Sequence, residues 1–358
     1  MAAFATNPEV ESDHFRQAVD GEPKWRHLVE PIEPFLDAVK QRLAEQVTAF
    51  DESIAEYVAY ALQSQGKQLR PMLLALSGKA AGELNDAHIT AAVIVEIVHL
   101  ATLVHDDVID GAKIRRGKPT VAANWGNDIT VLLGDCLFAH ALKLTAGFPT
   151  TEVCRAVSSA TNTVCAGEIF QTQRQWKFDF TKAEYFKALE MKTGELFALS
   201  CELGGYLSGA PAQWRKAFRE YGLALGTAYQ IYDDCLDLFG KESQAGKSLG
   251  TDIAKGKLTL PILLLFDRLE KEKASEIRKM IQNWKPDFFK ELKEILAEYN
   301  IFDSSQDYIA SFVNSSKKAL SSIGKTGEPL KDIQCLEALM GLADFLFEQS
   351  KKLAHQNR

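Results

Sequence analysis

Apolar residues recur at helical spacing along nearly the whole chain, and convincing strand-like alternation is absent. From Trp25 onward, Ile32, Phe35, Leu36, Val39 and Leu43 fall on one helical face, with Pro31 and Pro34 near its start. The stretch from Ala87 to Ile109 is apolar almost all round, the pattern of a helix buried on every side. Further helical patterns run through residues 128–146, 151–175, 181–208, 212–240, 256–272, 276–299, 305–321 and 335–354. Residues 267–334 are charged and less clearly bounded, and Gly324, Gly327 and Pro329 predict a loop before the last helix. Residues 1–24 are polar and irregular, which predicts a flexible tail ahead of a single domain over residues 25–358. No repeat of solenoid length is visible. The pattern predicts an all-α bundle of many helices around one central cavity.

Composition narrows the class without naming it. At 358 residues the chain can bury a large core, and 46% hydrophobic with 25% charged residues is ordinary for a soluble globular protein. A formal net charge of −7 argues against a nucleic-acid binder. Cys136, Cys154, Cys165, Cys201, Cys235 and Cys335 lie scattered, with no CxxC pair or metal-finger spacing, as expected of free thiols in a reducing cytoplasm. Glu9, Glu11 and Asp13 occupy the N-terminus where a signal peptide would carry an apolar core. No apolar run is expected to span a membrane; the longest candidate, Leu258–Phe266, is interrupted by Pro261.

Chemistry enters with an aspartate motif that occurs twice behind apolar segments. The first copy is Asp106-Asp107-Val108-Ile109-Asp110 and the second Asp233-Asp234-Cys235-Leu236-Asp237. Helical spacing projects two or three carboxylates from one side of each helix. A single copy is more often a solvated face or an acidic first turn. Two copies emerging from buried segments would repel at some cost without a cation. Facing each other across a cavity, they would offer the hard oxygen ligands that Mg²⁺ takes, with substrate phosphates and water completing its shell.

Cations at fixed positions supply what a diphosphate would need. Lys67 and Arg70 are three apart, although Pro71 disfavours the helical region for Arg70 and makes a helix end an alternative. His99 lies two helical turns, roughly 10 Å, before Asp106 and on its face, where a satisfied core histidine is the commoner case. Arg115 and Arg116 follow the first motif; arginine's planar fork suits phosphate oxygens. Lys192, Thr193, Lys247 and Lys257 complete the set. Each lysine alone favours a surface role, and their conjunction with two acid motifs is what counts.

The ordered set Gly66-Lys67-x-x-Arg70-Pro71, Glu96-x-x-His99, the first aspartate motif, Arg115-Arg116-Gly117, Gly167-Glu168-x-x-Gln171, Lys192-Thr193-Gly194, Gln230-x-x-Asp233-Asp234-x-x-Asp237 and Gly256-Lys257-x-Thr259-Leu260-Pro261 resembles the trans-polyprenyl diphosphate synthases. The resemblance spans roughly residues 28–350 and implies the isoprenoid synthase fold. One departure is that Gln65 and Gln68 stand where the family more often has glycine and a basic residue. The family joins an allylic diphosphate, here farnesyl or geranylgeranyl, to isopentenyl diphosphate head to tail. By resemblance Asp106, Asp110 and Asp233 would ligate Mg²⁺, in all three ions with substrate bound, while Asp107, Asp234 and Asp237 support them. Arg115, Lys192 and Lys247 would contact the leaving diphosphate, reinforced by Lys257. Lys67, Arg70, His99 and Arg116 would grip isopentenyl diphosphate. Gln171, Thr193 and Gln230 would position the ligands. The metal and cations would stabilise the departing diphosphate, and the isopentenyl double bond would capture the allylic cation. Proton loss to the released diphosphate would complete the cycle.

Small Ala101 and Thr102, where synthases that stop at fifteen carbons tend to carry bulky aromatics, resemble the long-chain branch, such as octaprenyl diphosphate synthase. They imply a product of about seven to nine isoprene units (about C35–C45) in a tunnel closed by Phe138 or Phe170. The family further implies a homodimer, and a greasy product implies transient membrane contact. A shorter-chain synthase is the nearest alternative. A terpene cyclase would share the first motif but lacks isopentenyl-binding cations. A non-catalytic subunit of a hetero-oligomeric synthase would tend to lose aspartates that this chain keeps.

Overall fold

A computed structural model describes residues 27–63, 68–240, 249–324 and 330–355. The predicted tail, Lys67, Lys247, Gly327 and Pro329 lie outside these residues. The chain begins with α1 (Glu33–Glu45), α2 (Ala55–Gln63) and α3 (Leu69–Ala81). Helix α3 starts at Leu69, with Arg70 and Pro71 inside its first turn, where a missing N–H costs nothing. The segment 69–71 is therefore a helix beginning.

Helix α4 (Asp86–Ile109) is the axis of the bundle, enclosed by α1, α3, the long α5 (Val121–Thr145) and, farther along the chain, α8 (Glu195–Leu207). By length and composition α4 is apolar enough to cross a membrane, which corrects the expectation that no such segment exists. Its packing makes it a core helix: Val93, Ile94, Val95, Ile97 and Val98 are all fully buried. Burying each such side chain stabilises the fold by roughly 1.5–3 kcal/mol. Between α4 and α5 a hairpin pairs β1 (Ile114–Arg115) with β2 (Lys118–Pro119). Two-residue strands leave no alternation in the sequence. Helix α5 extends past its predicted start, with a kink at Gly126 (φ 85°).

Helices α6 (Glu152–Gln173), α7 (Lys182–Leu189) and α9 (Ala212–Phe239) complete the core with α8. The predicted run 181–208 is interrupted by a π turn at Glu190–Gly194 between α7 and α8. The turn is tightly packed: a Cβ on Gly194 would press on Leu223 and Thr227 of α9, and one on Gly167 would meet the backbone of Met191 and Lys192. Beyond a single helical turn at Thr251–Ala254, the remaining helices are α10 (Leu260–Arg268), α11 (Lys271–Gln282), α12 (Phe288–Glu298), α13 (Ile301–Leu320) and α14 (Ile333–His355). Two further predictions are corrected. The run 256–272 becomes a turn before α10, since Gly256 sits at φ 73°, and 276–299 divides at Pro286.

Candidate active site

The C-terminal end of α4 and the last turns of α9 bring both aspartate motifs to one cavity of about 210 Å³. Asp106 and Asp110 line it from α4, Asp233 and Asp234 from α9, with Lys192, Lys257, Arg115, Gln171 and Gln230 around them. Lys257 Nζ donates to both carboxylate oxygens of Asp110, at 2.9 and 3.2 Å, and Lys255 Nζ lies 3.4 Å from the same group. Burial alone would raise the Asp110 carboxyl, but Lys257 and Lys255 hold it below its ordinary value. Lys192 pairs with Glu168, donates to Gln171 Oε1 at 3.3 Å and lies 3.5 Å from Asp106 Oδ2. Burial raises the Asp106 carboxyl, opposed by Lys192.

Asp107 and Asp237 are turned to other partners. Asp107 is buried and accepts from Arg115 Nε at 2.8 Å, tying the hairpin to α4. Asp237, also buried, accepts from the Thr251 hydroxyl at 2.8 Å and from the Asp252 amide at 3.2 Å, anchoring the turn that leads to Lys257. Asp234 ends a hydrogen-bonded chain. The Thr193 hydroxyl donates to Gln230 Oε1 (2.9 Å), Gln230 Nε2 to Asp234 Oδ1 (2.9 Å), and the Tyr185 hydroxyl to Asp234 Oδ2 (2.6 Å). Burial, then the charge of Asp252, pushes the Asp234 carboxyl up to about 8 despite those donors.

A second group of charges gathers farther back along α4. The hairpin turn places Arg116 and Gly117 both at positive φ (51° and 71°), the geometry of a two-residue type I′ connection, unusual for arginine. Arg116 interacts electrostatically with Arg70, Glu96 and His99. Arg70 stacks over the Phe197 ring at 5.1 Å, and its Nε is buried without a hydrogen-bond partner among the described residues. His99 is held well below 6.5 by burial and then by Arg70, Arg116 and Arg115. The cluster thus has donors and positive charge to spare for an anion.

Ala101 is fully buried on α4, and the Thr102 hydroxyl is satisfied by His99 O at 2.6 Å. Of the two aromatics named for closing a tunnel, Phe138 packs on His105 at 5.7 Å and Phe170 lies under Arg174 and Lys187. Tyr185, Arg174, Asp252 and Lys255 belong to the site although the sequence reading assigned them no part in it. A carboxylate at 252 four residues before the Gly256-Lys257 motif was the available signal for one of them.

Residues 51–299 match the family model described as polyprenyl synthetase. The chain is 32% identical over 313 residues to the octaprenyl diphosphate synthase of Escherichia coli K12, covering 87% of this chain and 95% of that one. It superposes on a decaprenyl diphosphate synthase from Rhodobacter capsulatus with a TM-score of 0.83 at 29% identity, covering 91% of this chain and 99% of the other. A polyprenyl synthase from Caulobacter crescentus CB15, solved with calcium and isoprenyl diphosphate, gives 0.82 at 32% identity, covering 95% and 99%. The all-α bundle is the isoprenoid synthase fold. With both motifs on one cavity, the chain belongs to the polyprenyl synthetase family of trans-prenyltransferases.

Proposed function

We propose that the chain condenses isopentenyl diphosphate with an allylic diphosphate, head to tail and with Mg²⁺, into a long all-trans polyprenyl diphosphate of about C35–C45. The observation that carries the reading is the paired architecture of charge. One cavity interleaves carboxylates and lysines, and a separate cationic cluster stands about two turns back along the same helix. The donor set fits the metal, since Asp106, Asp110 and Asp233 present only hard oxygens. Among the described residues no three such groups converge enough to hold a cation unaided, so diphosphate and water oxygens would complete the shell. When bound, the metal supplies charge stabilisation of the departing diphosphate.

The chain's own residues do the rest. Lys257 and Lys192, paired with Asp110 and Asp106, exchange those partners for diphosphate oxygens and keep positive charge where negative charge develops. Arg115, steered by Asp107, approaches the same anion. Gln230 and Thr193 are fixed by their hydrogen bonds, so their dipoles need no reorganisation. Arg70, Arg116 and His99 hold isopentenyl diphosphate beside the ionising partner, so that the two reactants meet as one complex. Lys67 and Lys247 are assigned, by family pattern, to the isopentenyl and allylic groups respectively. Exposed Val131, Leu132 and Leu142 on α5 support pairing of two copies, which sedimentation of the purified chain would read directly.

The decisive assay supplies purified protein with Mg²⁺, isopentenyl diphosphate and farnesyl diphosphate, and sizes the product by chromatography. A ladder ending near C40 is expected. No product at all would remove the synthase reading, and a ladder stopping at C20 would remove its long-chain part. A finer consequence concerns His99, which is neutral in its ring of arginines. A diphosphate drawn to that ring supplies opposite charge and raises the imidazole's pKa. Binding therefore takes up a proton at any pH between the free and bound values, and affinity increases as pH falls into that window. Calorimetry of isopentenyl diphosphate at about pH 6, in buffers of differing ionisation enthalpy, should show uptake that His99→Gln abolishes. Equal heats in every buffer would refute it.

A further inference from the structure

The loop after α6 carries a backbone outlier. Trp176 sits at φ 61°, a region that bulky side chains rarely enter and that persists only where surroundings impose it. Core burial does not account for it, since Trp176 remains 41% exposed. What the conformation achieves is contact with one turn. The Trp176 amide donates to Gly256 O at 2.9 Å, and a Cβ on Gly256 would overlap the indole, so the ring lies directly on that glycine.

Gly256 is flanked by the two lysines that meet Asp110. Lys255 Nζ is 3.4 Å and Lys257 Nζ 2.9 Å from its carboxylate. The turn is closed from within by Gly256 N donating to Ile253 O and Lys257 N to Asp252 O, at 3.0 and 2.9 Å. On its outer side the Trp176 indole covers Gly256. Arg174 and Gln175, just before Trp176, line the cavity themselves, so the loop bears on the site along its length. We propose that Trp176 is a positioning residue: its amide and indole hold the Lys255–Lys257 turn so that both ammonium groups stand over Asp110 at the diphosphate end of the cavity. The proposal rests on the synthase reading above and deepens it, since the ligand these ammonium groups would serve is the allylic diphosphate.

Trp176→Gly separates the ring from the backbone, because glycine accepts the positive φ without strain while removing the indole. In the full chain with Mg²⁺, farnesyl diphosphate and isopentenyl diphosphate, this variant should lose roughly 10- to 100-fold in kcat/KM for the allylic substrate. The KM for isopentenyl diphosphate should stay within about twofold, and the thermal midpoint should move by only a few degrees, because relief of the positive φ offsets part of the lost indole contact and added chain entropy. Trp176→Phe, which retains a ring, should recover most of the loss. In a Lys255→Ala/Lys257→Ala background Trp176→Gly should add no more than about a twofold further loss, because both groups it positions are gone. Wild-type kinetics in Trp176→Gly, or an undiminished loss beside Lys255→Ala/Lys257→Ala, would overturn the assignment. A wild-type chain that makes no product would count against the synthase reading instead. Trp176 would then be judged by calorimetry with Mg²⁺ and inorganic pyrophosphate, where binding equal in wild type and Trp176→Gly overturns it and weaker binding in the variant supports it.

Discussion

Asp106→Asn is expected to lower kcat by at least about 10³-fold at saturating substrates, some 4 kcal/mol of barrier. The substitution keeps shape and removes charge. Asp106 lines the cavity one turn from Asp110, and its Oδ2 lies 3.5 Å from Lys192 Nζ. Lys192 keeps Glu168 and Gln171 as partners in the variant, so the π turn that carries it should not move. On the proposed function, what would be lost is an anionic ligand for a divalent cation, which neutral asparagine replaces poorly. Stability should respond in the opposite sense. The Asp106 carboxyl is raised by burial, and Glu168 and Asp110 add like-charge repulsion, so the folded protein holds a charge it would rather neutralise. A raised carboxyl pKa means that stability declines as pH climbs from the unfolded value through the folded one. Asp106→Asn should remove that decline and leave the thermal midpoint at pH 8 equal to or above wild type. Activity within tenfold of wild type would remove Asp106 from the machinery, whatever the melting curve does.

Ala101→Tyr is expected to shift the product towards fifteen carbons. Ala101 is fully buried on α4, one turn before His105, which itself lies so close to Gly134 of α5 that a Cβ there would overlap the imidazole. The α4–α5 seam at this level is therefore tight, and a phenol ring set into it would stand across the path of a chain growing away from Asp106. Overpacking should cost about 1–3 kcal/mol. That is a readable drop in thermal midpoint but not loss of fold. Products sized by chromatography decide the matter. A folded variant with an unchanged ladder would mean that Ala101 forms no part of the wall.

The helical bundle and the ends of α4 and α9 were legible because a period of 3.6 residues fixes which aspartates share a face. Asp106 with Asp110 is such a pair, and Asp233 meets them across the cavity. Partners distant in sequence were not legible. Nothing in the spacing says that Asp107 would be taken by Arg115, that Asp237 would anchor Thr251, or that Tyr185 would satisfy Asp234. The π turn escaped notice because Glu190–Gly194 reads as ordinary helix. The glycine contacts that seat it against α6 and α9 join residues far apart in sequence. The break at Pro286 was marked in the sequence, but Ile281, Trp284 and Phe288 kept the apolar rhythm running across it.

Helix α4 is hydrophobic enough for a bilayer yet sits at the centre of a bundle. A prenyl tail lengthening beside it would be dissolved in something close to hydrocarbon from its first added unit. Each buried CH₂ is worth about 0.8 kcal/mol, so every five-carbon addition deepens the tail's preference for that environment by roughly 3–4 kcal/mol. Escape into water becomes steadily more uphill with length. A helix sheltering the tail in this way would make a second oily phase the natural receiver of the finished molecule.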